Sequence, residues 1–417
     1  MTNWQKLSLT ALVAIYGYLP RKDRLACAMV CSQWKRAMDQ VELWDYMVVN
    51  IDDDLMDPST MICTRYFSKY IKSLEIGWAH PERMGSWLPL KHRALTKRTV
   101  RWLSVLIESN VQLNYIKIFD WYDVFKCKKI IYHLNRFLVS QDNLSNITFN
   151  NLNMYRDDCI KLFISSLSKG SNETINYISL HNTSCYQLAY DSQQFQSLVQ
   201  GLSNLKVIEL DYFILSRSVI RALIGRHNKN LRYLHVGIRD ASGSPILEED
   251  WRKLSHSCPQ LTVGFTITNV VHYDAVCNFL KPNIPLSSFS MYTGMGDQSK
   301  RHFRRSIHLL VKHYHETLEN INLQLRNHSE ILDDDILNLV KSCPKLTGVN
   351  FGGVITNMNT VRDICQLKEN KNTKYVHVKL KKRDDDERTQ VTDEYFKKGI
   401  DFKIVNHEIG NVVYIYH

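Results

Sequence analysis

A short apolar phrase recurs along this chain at nearly constant spacing, and no other feature limits the fold so tightly. The phrase carries apolar residues at positions a, a+3 and a+5, as in LNYIKI (Leu113 to Ile118), LSNITF (Leu144 to Phe149), INYISL (Ile175 to Leu180), LKVIEL (Leu205 to Leu210), LRYLHV (Leu231 to Val236), LENINL (Leu318 to Leu323) and LTGVNF (Leu346 to Phe351). Weaker copies begin at Trp44, Ile71, Leu261, Leu286 and Thr373. Of the eleven intervals between these starts, ten lie between 25 and 32 residues. The remaining interval, 42 residues after Ile71, contains HPERMGSWLPLKHR and reads as a Pro-containing loop insertion near 79–98. At Leu261 the register is expected to slip by one, because Phe265 and Ile267 make the better inward pair. A period of this length marks a solenoid, whose units cannot bury their own apolar faces and must stack.

Helix-like segments lie between the phrases. DDCIKLFISSL (Asp157 to Leu167) puts Ile160, Phe163, Ile164 and Leu167 on one face, and DDDILNLVKSCPKL (Asp333 to Leu346) opens on acidic residues and stops at Cys-Pro. One strand and one helix per repeat is similar to the leucine-rich-repeat pattern, and HSCPQL (His256 to Leu261) and KSCPKL (Lys341 to Leu346) resemble the helix ends of its cysteine-containing subfamily. The resemblance implies an α/β horseshoe of about 11–12 repeats over 45–380, with parallel strands on the concave face and helices on the convex one. The tail 381–417 is expected to cap it. Its KKRDDDERTQ run reads as a solvated loop and its alternating FKIVNHEIGNVVYIYH as a terminal hairpin turning at Ile409-Gly410-Asn411.

Strand alternation then sorts the side chains. Positions a+3 and a+5 point into the core, and a+2 and a+4 face the concavity. Tyrosines with nearby lysine and histidine suit a protein-binding surface, and they also suit a ladder packed between neighbouring strands; both readings stand at this point. The candidate target-binding residues are Tyr115, Lys117, Tyr177, His181, Tyr233 and His235.

The first tenth of the chain departs from the repeat. Leu12, Ile15, Tyr16 and Leu19 have the spacing of one helix face, as do Trp34, Ala37, Met38 and Val41; Pro20 should stop the first helix, and Asp23 is a natural cap for a middle one running to about Cys31. Three short helices within 1–44 cannot hide so much apolar surface alone, so a neighbouring domain or a partner must cover some of it. The residues Leu7, Leu12, Ile15, Tyr18, Leu19, Asp23, Leu25, Val30, Cys31, Trp34, Leu43 and Trp44 follow the residue types and spacings of the F-box, which this segment resembles. Ser8 stands where that family usually has Pro, and Thr10 where an acidic residue is common. The resemblance implies a substrate receptor of a cullin-RING ubiquitin ligase, with Leu7, Leu12, Ile15, Leu19, Leu25, Val30 and Trp34 forming or supporting the surface for a Skp-type adaptor. A cullin scaffold, its RING protein and a protein target would complete the complex. Two alternatives remain: a repeat scaffold outside any ligase, and an RNA- or membrane-associated protein using its basic clusters.

Catalytic motifs are missing from the sequence. There is no GxSxG, P-loop or GxGxxG, HETLE (His315 to Glu319) lacks the second His of a zinc motif, and His313 and His315 point apart at helical spacing. No cofactor and no metal is expected. Ten cysteines without a CxxC pair read as reduced thiols, which with no clear leader suggests cytoplasm or nucleus; Lys6 followed by an apolar run loosely imitates a signal peptide, but the charges of Arg21 to Arg24 interrupt it. No apolar run reaches the length of a membrane span. The net charge of +11 is densest at Lys91 to Arg101 and Lys300 to Arg305, read as solvated faces, so nucleic acid is not an expected partner.

Overall fold

The computed structural model describes residues 7–81, 89–122, 128–153, 173–183, 193–224, 230–239, 245–268, 273–292, 302–327, 330–369, 375–380 and 401–404, with a few isolated positions besides. The chain divides into two compact units, 1–209 with 225–231 and 210–224 with 232–417.

The first unit opens with α1 (Leu9–Gly17), α2 (Arg21–Ala28) and α3 (Ser32–Met38). Strands β1 (Tyr46–Asn50), β2 (Ser73–Gly77), β3 (Tyr115–Tyr122), β4 (Asn146–Asn153) and β5 (Tyr177–Thr183) then lie side by side in chain order, followed by β6 (Val207–Asp211) at the unit boundary. Helices α4 (Pro58–Phe67), α5 (Pro89–Glu108), α6 (Lys128–Val139) and α7 (Gln193–Gly201) alternate with them. Strands β1 to β5 pair in parallel, and the repeat phrase explains the register. Met47, Leu74, Ile116, Ile147 and Ile178 align across five strands, and so do Val49, Ile76, Ile118, Phe149 and Leu180. These a+3 and a+5 positions are all buried, as the alternation requires. Each contributes about 1.5–3 kcal/mol of apolar burial that only its neighbouring repeats make available.

Strand ends in this unit are pinned by a polar file. Asp120, Asn151 and Asn182, each at position a+7, have φ of 52°, 58° and 52°, the left-handed region that Asn and Asp tolerate best. The Asn151 amide donates to Asp120 at 2.5 Å, and the Asn182 amide donates to Asn151.

The second unit repeats the plan. Helix α8 (Arg217–Leu223) leads to β7 (Tyr233–Ile238), α9 (Glu248–Ser257), β8 (Thr262–Thr268), α10 (Tyr273–Phe279), β9 (Leu286–Tyr292), α11 (Phe303–Tyr314), β10 (Asn320–Gln324), α12 (Asp333–Ser342), β11 (Gly348–Ile355), α13 (Met358–Glu369), β12 (Tyr375–Leu380) and β13 (Asp401–Ile404). At β8 the register shifts between Val263 and Gly264, and Phe265 and Ile267 point inward beside Val263, which confirms the slip expected there. The acidic start of α12 does more than favour a helix terminus. The Asp333 carboxylate accepts from the backbone N–H of Thr356 and Asn357 in the next repeat, at 2.9 and 2.8 Å. Asp52 does the same for Ala79 and His80 in the first unit.

Two expectations need correction, and the C-terminal stretch adds a strand. The insertion near 79–98 is not a loop throughout: α5 begins at Pro89, whose fixed φ suits a first helical turn, and Leu95, Trp102, Leu103 and Leu106 anchor one buried face of it. Asp23 is not the cap of α2, since the helix already starts at Arg21 after Pro20 and places Asp23 in its first turn. The C-terminal stretch opens as a thirteenth parallel strand, Tyr375 pairing with Asp401 and Val378 with Ile404, because β12 offers an unpaired edge. The turn at 409–411 lies outside the described residues, as do most of 157–167, where Leu162 and Leu167 are buried. Among the described residues no helix is long and apolar enough to cross a membrane.

Candidate functional site

Two surfaces of the molecule combine unusual chemistry with access, and the first is the N-terminal helical domain. Ser8, standing in for proline, caps α1 by accepting from the Ala11 N–H at 3.2 Å, so the helix start survives the replacement. Leu12, Tyr16, Ala37, Met38, Leu43 and Trp44 form a core with Cys63 and Phe67, which belong to α4 of the first repeat. The Trp44 indole stacks on Phe67 with ring centroids 4.2 Å apart and donates to the Met38 carbonyl at 2.7 Å. The domain therefore borrows its floor from the solenoid, and a cut after residue 44 divides a single core.

Two arginines seal that junction. Arg24 donates to the carbonyls of Leu19 and Leu43 at 2.8 and 3.2 Å and lies 5.5 Å over the Trp44 ring; burial lowers its pKa, with the Arg21 charge adding to the effect. Arg21 pairs with Asp54 of the first repeat at 2.6 Å and donates to the Val48 carbonyl. Tyr16 donates to the Trp34 carbonyl at 3.0 Å, and burial pushes its hydroxyl up to about 12, with Cys27 and Cys31 contributing less. A groove of about 470 Å³ runs along this junction, lined by Leu19, Arg21, Arg24, Trp44, Asp54 and Asp57 among others.

The expected adaptor residues separate by burial. Leu12 is 1% exposed and belongs to the core of the domain. Leu7, Ile15, Leu19, Leu25 and Trp34 are half-buried, and Val30 is 63% exposed. Beside Val30 stands Met29, 85% exposed, and Tyr18 at the end of α1 is 91% exposed. Met29 escaped the sequence reading because no helical spacing singles it out; as the C-cap residue of α2 it has left the helix face that the spacing describes.

The second surface is the strand face opposite the helices. In the first unit Glu75 gathers three partners: Tyr46 donates to it, Tyr115 donates at 3.2 Å, and the Lys117 ammonium stands 3.1 Å away. Four strands on, Glu209 accepts from the Tyr177 hydroxyl at 2.8 Å and faces the His181 imidazole at 3.3 Å. Burial foremost, then the carboxylate beside each, pushes Tyr46, Tyr115 and Tyr177 well above the ordinary tyrosine range, so these phenols are neutral donors. In the second unit Tyr233 and His235 stack with centroids 6.3 Å apart, the His235 imidazole meets the Thr266 hydroxyl at 2.9 Å, and Gly264 leaves the space that the Tyr233 hydroxyl fills.

Tyr115 is thus joined to Lys117 through Glu75, Tyr177 to His181 through Glu209, and Tyr233 directly to His235. Glu75, Glu209 and Tyr46 were not among the expected binding residues. The a+2 and a+4 rule finds all three once it is applied to the weak repeats at Trp44 and Ile71 and to the acidic a+4 position of the repeat at Leu205. Tyr46, Tyr115 and Tyr177 thus form two carboxylate-centred groups, on Glu75 and on Glu209, which fix their hydroxyls in place.

Helical module and parallel α/β solenoid together define a class of protein in which an end domain presents apolar side chains and a repeat array presents an ordered polar face. A family model described as F-box-like matches residues 10–50. Three curated relatives match as well. Human F-box/LRR-repeat protein 12 is 33% identical over 79 residues, 18% of this chain and 24% of the relative. The Bos taurus protein of that name is 32% identical over 79 residues, with the same shares, and the Mus musculus one 35% over 68 residues, 16% of this chain and 20% of the relative. The match thus spans about a quarter of the length of these curated relatives. The chain has the architecture of an F-box/LRR-repeat protein: an F-box-like domain followed by a leucine-rich-repeat solenoid.

Proposed function

We propose that this chain is the substrate-recognition subunit of a Skp–cullin–F-box ubiquitin ligase, with no chemistry of its own. The observation that carries the reading is the strong exposure of Tyr18, Met29 and Val30, with Leu9 and Val41 partly exposed as well, on a domain whose core is shared with α4. Large apolar side chains left in water beside a rigid core are what a partner surface needs, since little further ordering is required on binding. A Skp-type adaptor would cover them and connect the chain to a cullin and its RING protein. The strand face would hold the target, offering fixed tyrosine hydroxyls with Lys117 and His181 alongside. Cytosol or nucleus is the proposed compartment. Two potential glycosylation acceptors, Asn182 and Asn327, commit their amide nitrogens to internal hydrogen bonds, which fits a chain that meets no glycosylation machinery.

The test is copurification of the full chain with a Skp-type adaptor and a cullin, against the variant Met29→Asp/Val30→Asp. Recovery of both partners by the native chain and of neither by the variant supports the reading. Adaptor without cullin would indicate a stoichiometric scaffold, and neither partner from the native chain would remove the ligase assignment.

A further inference from the structure

The helical face of the first unit carries a charge that the linear sequence shows only in part. Helix α5 packs between α4 and α6. Their lysines and arginines number one in α4, five in α5 and three in α6, against a single carboxylate, Glu108, at the last position of α5. Arg65, Arg93, Lys97, Arg101, Lys129 and Arg136 are all exposed, and among the described residues none of them makes an ion pair. Arg93, Lys97 and Arg101 stand one turn apart along α5, neighbours separated by about 5–6 Å. Exposed Tyr66 on α4 and Tyr132 on α6 flank this file, at 73% and 61% exposure.

An ordinary solvated helix face mixes both signs, and the second unit has that pattern. There α9 places Lys253 against Glu249 at 2.7 Å, and Arg304 and His308 of α11 both reach Asp335 of α12, at 3.0 and 2.8 Å. The same fold in the same chain therefore balances its outer charges in one unit and leaves them unbalanced in the other. Like charges this close repel each other by several tenths of a kcal/mol per helical pair, and a polyanion removes that repulsion on binding.

We propose that the α4–α6 face binds the phosphodiester backbone of a nucleic acid. A nucleic-acid strand presents one negative charge per nucleotide with no cation between, which matches a face whose nine cations meet a single carboxylate, Glu108, at the end of α5. Arginine forks fit phosphate oxygens in pairs, and the two tyrosines offer rings on which bases stack. The linear reading took Lys91 to Arg101 for a solvated face next to a loop insertion; helix α5 aligns these cations, and Arg65, Lys129 and Arg136 join them only through folding.

The probe is a fluorescein-labelled oligouridylate of about 20 nucleotides, its anisotropy followed with the full chain as salt is raised. Six phosphate contacts give a log–log salt slope near −4, so binding should weaken on the order of a hundredfold between about 50 and 200 mM salt. Arg93→Glu/Lys97→Glu/Arg101→Glu should lower affinity at least tenfold and reduce the slope by about 2. The milder Lys129→Gln/Arg136→Gln should lower the slope by about 1, while Arg252→Glu/Lys253→Glu on α9 should change neither. All positions are exposed, and an unchanged thermal melt with retained adaptor capture shows that each variant is folded. Binding insensitive to the α5 reversal overturns the proposal. So does equal competition by polyglutamate of matched charge, which would name an acidic protein as the partner, or capture by phosphatidylserine vesicles without RNA binding, which would name a membrane surface.

Discussion

The N-terminal domain and the strand face of the first unit are built on opposite rules. The domain is held by apolar contacts, several borrowed from α4, and what it leaves outside is also apolar: Tyr18, Met29 and Val30. The strand face is polar, and its groups are already satisfied by one another through Glu75 and Glu209. Apolar contact is non-directional, so a partner can cover whatever a small core leaves over; hydrogen bonds are directional, so a paired face offers a fixed pattern that a partner must match. The first surface is suited to a constant partner and the second to a chosen one.

The largest test of this contrast is Trp44→Ala. Losing the Phe67 stack and the bond to the Met38 carbonyl should destabilise the first unit by about 3–5 kcal/mol in chemical denaturation. Because the core is shared, amide-exchange protection should fall in α1 and in α4 together; a loss confined to α1 would separate the two and break the comparison. Arg21→Ala comes next. It leaves the Asp54 carboxylate without its cation and should lower stability by about 1.5–3 kcal/mol, with Asp54→Asn showing a smaller loss.

Val30→Asp should reverse the balance between folding and binding. Stability should move by less than about 0.5 kcal/mol because the side chain is exposed, while adaptor affinity should fall at least tenfold, or about 1.4 kcal/mol. An unchanged adaptor affinity would mean that the exposed apolar edge belongs to another partner. The smallest effect concerns pH. A tyrosine whose pKa is raised on folding leaves stability unaffected below its unfolded value of about 10 and loses it as pH climbs from there towards the folded value. Thermal stability should decline above about pH 10, and Tyr177→Phe should make that decline shallower while costing about 1 kcal/mol at neutral pH for the lost bond to Glu209.

Legibility in the sequence varied with the range of the interaction. The a+3 and a+5 core positions were readable because alternation along a strand is local, and the slip at β8 was readable because Phe265 and Ile267 broke that alternation visibly. The helical stretch from Pro89 was not, since two prolines and a glycine nearby carry strong turn signals, while the burial of Trp102 and Leu106 that holds the helix depends on packing against its neighbours. The parallel pairing of β13 with β12 was not legible either, since alternation alone does not say which edge a strand joins. Tyr115 and Tyr177 of the strand face were found, but the carboxylates that fix them lie in a neighbouring repeat.

By itself, then, the sequence determined the period, the inward positions of each strand and the three-helix start, since each follows from side-chain spacing within a single element or repeat. Only the tertiary structure decided that Trp44 rests on Phe67, that Glu75 serves Tyr46, Tyr115 and Lys117 at once, and that cations from three helices meet on one face. The physical reason is stacking: it brings residues roughly thirty positions apart to contact distance, and no pattern within one repeat records which of them will meet.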